Sequence, residues 1–312
     1  MHKSGVFGRG DLDERLDKRI VVECFLLVKQ GLRPVAIVTI PAELPDGNVL
    51  GAQVDFEFRT RLAGQARDLR TRMSDTLERR RLSPIAFKTS ILRSSFANNV
   101  LGSESYLVHR EVARALGLEV LESEVRPTIR EWYVHLPGTR DRLKTMLSRR
   151  HEIQKQARQH VKSTEDVGYY VYPEERDPDY LQDLGALLGY PDCCVKAYTA
   201  GRAEGDGRTP GMPEERSARQ LREAGVREDS LEAGGNIPAG VSPWAFWLKD
   251  FYPCRPDCPA AVTKGEQARA ALGAFSEELT TIYEGFCRGN LARVLRGPET
   301  IRQHEEWLGR RP

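Results

Sequence analysis

No stretch of this sequence is apolar for long enough to cross a bilayer. The best run, Ile20–Val28, is interrupted by Glu23, and a spanning helix needs about 20 such residues. The first ten residues lack the apolar segment of a secretory signal. Net charge is only +2, so no overall field calls for an anionic partner. Phosphate-cradling glycine loops of the G-x-x-x-x-G-K-[ST] and G-x-G-x-x-G kinds are absent, as is the G-x-S-x-G turn of serine hydrolases. The histidines form neither His-x-x-His nor His-Glu-x-x-His, which removes the histidine-based zinc hydrolases. These absences imply a cytoplasmic setting. There the six cysteines are expected to be reduced, metal-bound or catalytic rather than bridged.

Four of those six cysteines lie in two short stretches. One is Gly189-Tyr190-Pro191-Asp192-Cys193-Cys194; the other is Phe251-Tyr252-Pro253-Cys254-Arg255-Pro256-Asp257-Cys258-Pro259. Both carry a Tyr-Pro lead-in and an acid beside cysteine, and both are placed to open a helix. Asp192 is expected to cap Cys193–Tyr198, and Pro259 suits a first helical turn. A thiol there meets unpaired N–H groups and the positive end of the helix dipole, which favour thiolate. The spacing, a vicinal pair and a Cys-x-x-x-Cys, matches no standard zinc knuckle. Adjacent positions on a helix diverge by about 100°, so joining both sulfurs on one ion is expected to need a distorted helix start. Irregular spacing suits an iron–sulfur cluster fed by separate loops; zinc is the alternative. Cys24, on an apolar stripe, and Cys287, beside Phe286, read as core residues.

The rest of the chain predicts an α+β fold, with a small mixed sheet and packed helices in the N-terminal half and a mostly helical C-terminal half. The division falls at 1–165 and 166–312, within two regions or one continuous domain. Strands are expected over Pro34–Ile40, Gln53–Phe58, Glu119–His135 and Gly168–Tyr172, the first two joined by the turn Pro45-Asp46-Gly47-Asn48. An amphipathic helix is expected over Asp11–Gln30, others over Leu62–Arg81 and Glu104–Leu116. A long helix over Gly138–Lys162 carries Arg140, Arg142, Lys144, Arg149, Arg150, Lys155, Arg158 and Lys162, a stripe that either binds nucleic acid or is a solvated, acid-paired face. The tail reads as Pro259–Arg288, with breaks at Gly265 and Gly273, then Pro298–Leu308.

The segment Leu187-Leu188-Gly189-Tyr190-Pro191-Asp192-Cys193-Cys194-Val195, followed by Tyr252-Pro253-Cys254 and Cys258, resembles a family of uncharacterised archaeal and bacterial domains with a GYPxCC motif and a downstream PCxxxC motif. The resemblance covers mainly Leu181–Gly265, with a similar helix-Gly-x-x-Pro-strand pattern over Leu26–Val38. It implies grouped cysteines. Relatives often carry serine where this chain has Arg255. Cys193, Cys194, Cys254 and Cys258 are thus the expected metal ligands, and Tyr190, Asp192, Trp247, Tyr252, Arg255 and Asp257 the candidates for a substrate pocket. The favoured reading is a Cys-ligated metalloenzyme acting on a small molecule rather than nucleic acid. The alternatives are a zinc-stapled nucleic-acid-binding module and a thiol/disulfide redox protein.

Overall fold

The computed structural model describes residues 15–72, 84–159, 172–204, 212–228, 231 and 236–309. The chain divides into two compact units. The first comprises Met1–Phe25, Val35–Leu147 and His151–Val171; the second comprises Leu26–Pro34, Ser148–Arg150 and Tyr172–Pro312.

The first unit is built on a three-stranded sheet. Strands β1 (Val35–Ile40), β2 (Glu119–Arg126) and β3 (Ile129–His135) lie in the order β1-β3-β2. Both pairings are antiparallel, Val35 opposite His135 and Glu119 opposite His135, so the sheet is antiparallel throughout and not mixed. The expected extended segment Glu119–His135 is in fact a hairpin. In β3, the middle strand, the consecutive residues Trp132, Tyr133, Val134 and His135 are all buried, so both faces of the sheet are covered at that end. The alternation of an edge or half-exposed strand does not apply where both faces are covered.

Gln53–Phe58 is not a strand. It lies inside helix α2 (Gly47–Arg72), and the Pro45–Asn48 turn is that helix's entrance. The period-two pattern of Val54, Phe56 and Phe58 misleads: Val54 is buried and Phe58, one turn on, is half-buried, while Phe56 between them is 74% exposed. A helix α3 (Pro84–Asn99) follows and packs on α2. Helix α4 (Glu104–Ala115) starts at its Ser103 cap, as serine before an acidic first turn favours. The expected strand Gly168–Tyr172 lies outside the described residues except at Tyr172.

The segment ahead of β1 is helical, but not amphipathic. A π-helix, Ile20–Leu26, runs into a short α1 (Leu27–Lys29), and every residue from Ile20 to Val28 is buried, Glu23 included. Glu23 is tolerated there because Arg19 donates to its carboxylate at 2.7 Å.

Helix α5 (Arg140–Ala157) carries the basic stripe. Arg149 reaches Asp177, Asp179 and Asp183 at 2.8, 3.4 and 3.6 Å, and buried Arg150 pairs with buried Glu174 at 2.8 Å. Arg140 meets Glu119 at 3.3 Å. The middle of the stripe is therefore a set of ion pairs within the fold.

The second unit is helical: α6 (Pro178–Leu187), α7 (Asp192–Glu204), α8 (Met212–Glu223), α9 (Pro259–Gly273) and α10 (Glu277–Gly309). A 3-10 turn, Pro243–Phe246, fills the space against α9 and α10. Trp247, Phe246, Phe251, Leu272, Tyr283 and Leu291 form its core. The tail breaks after Gly273 but not at Gly265. A Cβ on Gly265 would lie 2.3 Å from the Trp244 carbonyl oxygen, so glycine there serves close packing. Nor does Pro298 start a new helix; it lies inside α10.

Candidate metal centre

Local backbone geometry brings the first cysteine pair into position. Gly189 ends α6 with φ +77°, a conformation glycine adopts at little cost. Gly189 N–H then donates to the Ala186 carbonyl at 3.2 Å and Tyr190 N–H to that of Gly185 at 3.0 Å, the closing bonds of a left-handed helix cap. A Cβ on Gly189 would lie 3.0 Å from Arg33 Cα. Having turned, the chain starts α7 at once. Cys194 N–H and Val195 N–H both donate to the Pro191 carbonyl, at 2.9 and 3.0 Å. Asp192 is not the cap: it sits in the first turn, exposed, with its carboxylate on Lys196 at 2.7 Å and Gln182 at 3.0 Å. Lys196 holds that carboxyl below its usual range.

The second motif closes on the first through aromatic rings. Tyr190 packs on Phe251 with centroids 4.9 Å apart, Phe251 meets Trp247 edge-on at 6.0 Å, and Tyr252 stacks on Tyr198 at 6.4 Å. The loop then tightens, with Cys258 N–H donating to the Arg255 carbonyl at 3.1 Å. Cys258 is the N-cap residue of α9 and Pro259 begins the helix.

All four sulfurs converge. Sγ of Cys193, Cys194, Cys254 and Cys258 lie within 4.8 Å of one another, a group that can hold a metal ion. Cys193 and Cys194 are 3.9 Å apart, Cys193 and Cys258 3.7 Å, and Cys194 and Cys258 3.6 Å. The amide of Cys254 also points at Cys194 Sγ, 3.4 Å away. Helix α7 runs unbroken from Asp192, so the vicinal pair converges through side-chain direction and not through a distorted helix start. Cys194 and Cys258 are buried, Cys254 is half-buried and Cys193 is exposed. Cys24, with its thiol towards the Ile37 carbonyl, and buried Cys287 stand outside the group.

Burial and crowding set the protonation of the group. Burial, together with the neighbouring thiols, pushes Cys194 far up, and Cys254 is pushed up to about 11. Burial also acts to raise Cys258, but the Ala261 amide and the thiols of Cys254, Cys194 and Cys193 outweigh it and hold Cys258 low. Several thiolates cannot crowd together in a partly dry site unless a positive ion neutralises them.

Of the six residues expected to line a pocket, three are exposed and held in ion pairs, Asp192 with Lys196 among them. Arg255 and Asp257 are exposed and pair with each other at 3.1 Å. Trp247 is fully buried, and Tyr190 and Tyr252 are half-buried in the ring contacts above.

The sequence reading passed over a polar cluster beside the cysteines. Tyr198 lies one turn beyond Cys194 on α7, and its hydroxyl accepts from Arg202 at 2.7 and 3.0 Å. Arg202 also pairs with Glu214 at 2.9 Å and approaches Glu175 at 3.9 Å. Gln220 donates to the Cys254 carbonyl at 3.4 Å, tying α8 to the second motif. Burial raises the carboxyls of Glu175 and Glu214, and pushes the Tyr198 phenol up to about 12. Glu214 Oε2 and Gln220 Oε1 are buried without a hydrogen-bond partner among the described residues. One signal in the sequence was available: Tyr172-Pro173-Glu174-Glu175 repeats the Tyr-Pro-acid order of the first cysteine motif.

Comparison of the chain with protein-family models, with curated proteins and with solved structures returns no match to any of them.

Proposed function

We propose that the protein holds a single metal ion, zinc, on Cys193, Cys194, Cys254 and Cys258, and that this ion joins the α6–α7 turn to the start of α9. The observation that carries the reading is the sulfur spacing, 3.6, 3.7 and 3.9 Å for three of the pairs. A zinc–thiolate bond of about 2.3 Å sets a tetrahedral edge of about 3.8 Å. A four-iron cluster puts each thiolate on a different iron and spreads the sulfurs well beyond that edge. An all-sulfur donor set also suits zinc or a single iron over hard cations such as magnesium. Four protein ligands complete a tetrahedron, which is the arrangement of structural zinc; a hydrolytic zinc keeps one position open.

An enzyme acting on a small molecule is a second reading. It is favoured by the carboxyls of buried Glu214 and partly exposed Glu175 lying in one network with Tyr198 and Arg202, since acids with raised pKa are suited to proton transfer.

Protein purified without oxygen decides the metal. Colourless protein with one zinc per chain is expected, and cobalt substituted for zinc should give the intense sulfur-to-cobalt absorption of four-thiolate coordination. Brown protein with several irons and acid-labile sulfide would overturn the zinc reading in favour of a cluster.

A further inference from the structure

We propose that the first unit carries a separate binding site for a phosphate-bearing small molecule, in the cavity between α4, the edge strand β2 and the start of α5. The cavity has a volume of about 270 Å³, and Arg110, Arg114, Arg140, His135, Glu119 and Leu121 are among the residues lining it. That volume is near the lower end of ligand pockets, enough for a small metabolite.

The charges do not balance within the fold. Arg110 and Arg114 stand one turn apart on α4 and so share a face. Among the described residues neither has a carboxylate within ion-pair distance. Arg110 is held in place by its bond to the Tyr106 hydroxyl, 3.1 Å, and lies over that ring at 5.8 Å. Arg140 opens α5, where the helix dipole adds positive potential. Among the described lining residues Glu119 is the one carboxylate, and it is already engaged by Arg140 at 3.3 Å. The excess of guanidinium charge favours an anion, and the fork of arginine fits phosphate oxygens in pairs.

His135 adds a preference for phosphate over carboxylate. It is 1% exposed, and its Nδ1 lies 2.8 Å from the Leu136 carbonyl. A carbonyl only accepts, so Nδ1 carries the proton, and in the neutral ring Nε2 is left with its lone pair. The carboxylate near Nε2 is another acceptor, Glu119 Oε2 at 3.9 Å. A ligand that brings both negative oxygens and an O–H satisfies the arginines and the histidine together. A phosphate monoanion has both; an ionised carboxylate has no O–H. Leu121 and its neighbours on β2 supply an apolar floor for the rest of the molecule.

The test uses the full chain and inorganic phosphate as probe, followed by melting temperature and calorimetry at constant ionic strength set with chloride. A saturable rise in melting temperature with phosphate, and a smaller one with acetate, is expected. Arg110→Ala with Arg114→Ala should abolish it, and Arg114→Ala alone should weaken binding about tenfold. Arg114 is exposed, so the single variant should fold. Arg142→Ala, on α5 but outside the lining, should bind like the parent. No rise beyond the chloride control, an equal rise with acetate, or full binding by Arg114→Ala would each overturn the assignment.

Discussion

Single residues decide how the metal group works. Cys258 is the buried member that the Ala261 amide and the neighbouring thiols hold low, so it is the natural first thiolate for an incoming cation. Cys258→Ser is expected to bring the metal count per chain from one to near zero. The melting temperature should fall, while the unit keeps its helical circular dichroism because Trp247, Phe246 and Tyr283 form a core without sulfur. A Cys258→Ser protein that still binds one equivalent would show that the remaining three cysteines suffice. Glu122 offers an independent check in the other unit. Tyr106 Oη and Trp132 Nε1 donate to it at 2.7 and 3.1 Å, and Arg130 pairs with it as well. Burial alone would raise its carboxyl, but these three donors hold it below the ordinary 4.5. A depressed acid contributes stability that is complete above its unfolded pKa and is lost as pH falls through its folded value. Glu122→Gln should therefore cost about 1–3 kcal/mol at neutral pH, and the gap to the parent in urea unfolding should shrink as pH drops below about 4.5. A gap that is constant from pH 7 to pH 3 would contradict this.

At the scale of elements, the centre depends on two places where backbone meets backbone. Gly265 lets α9 lie against the Pro243–Phe246 turn, whose Trp244 carbonyl oxygen would be 2.3 Å from any Cβ. The turn must shift to admit a methyl group, and overpacking of this kind costs about 1–3 kcal/mol. Gly265→Ala is expected to lower stability by that amount and to weaken metal binding, since the same helix begins at Cys258. Gly189→Ala places a side chain at φ +77°, a penalty of about 1–2 kcal/mol, and should tilt the start of α7 that carries Cys193 and Cys194. Each is measured by competition for zinc against a chromogenic chelator; unchanged affinity in both would mean the two helix starts find their positions independently of these glycines.

For the whole molecule, two units with separate cores predict a local response to metal loss. Hydrogen exchange after chelation should accelerate in α6, α7 and the start of α9, the elements that deliver the sulfurs, while the amides of β1, β2 and β3 keep their protection. Equal loss across the sheet would mean that the units unfold as one.

The sequence by itself determined the α+β class and picked out the four cysteines that the fold gathers into a group able to hold a metal ion. Cysteines beside proline and acid at helix starts are a local signal, legible because the chemistry of a first helical turn is set by the few residues in it. The span of α4 was legible too, expected over Glu104–Leu116 and found over Glu104–Ala115. What escaped was set by distant partners. Val54, Phe56 and Phe58 alternate like a strand, yet they lie in a helix packed on α3. The four buried residues of β3 depend on its place in the middle of the sheet. The spacing of the four sulfurs, the network of Glu175, Tyr198, Arg202 and Glu214, and the clustered arginines of α4 are matters of distance between segments. Only the tertiary structure decided them, because no local pattern encodes which remote charge or sulfur will come within a few ångströms.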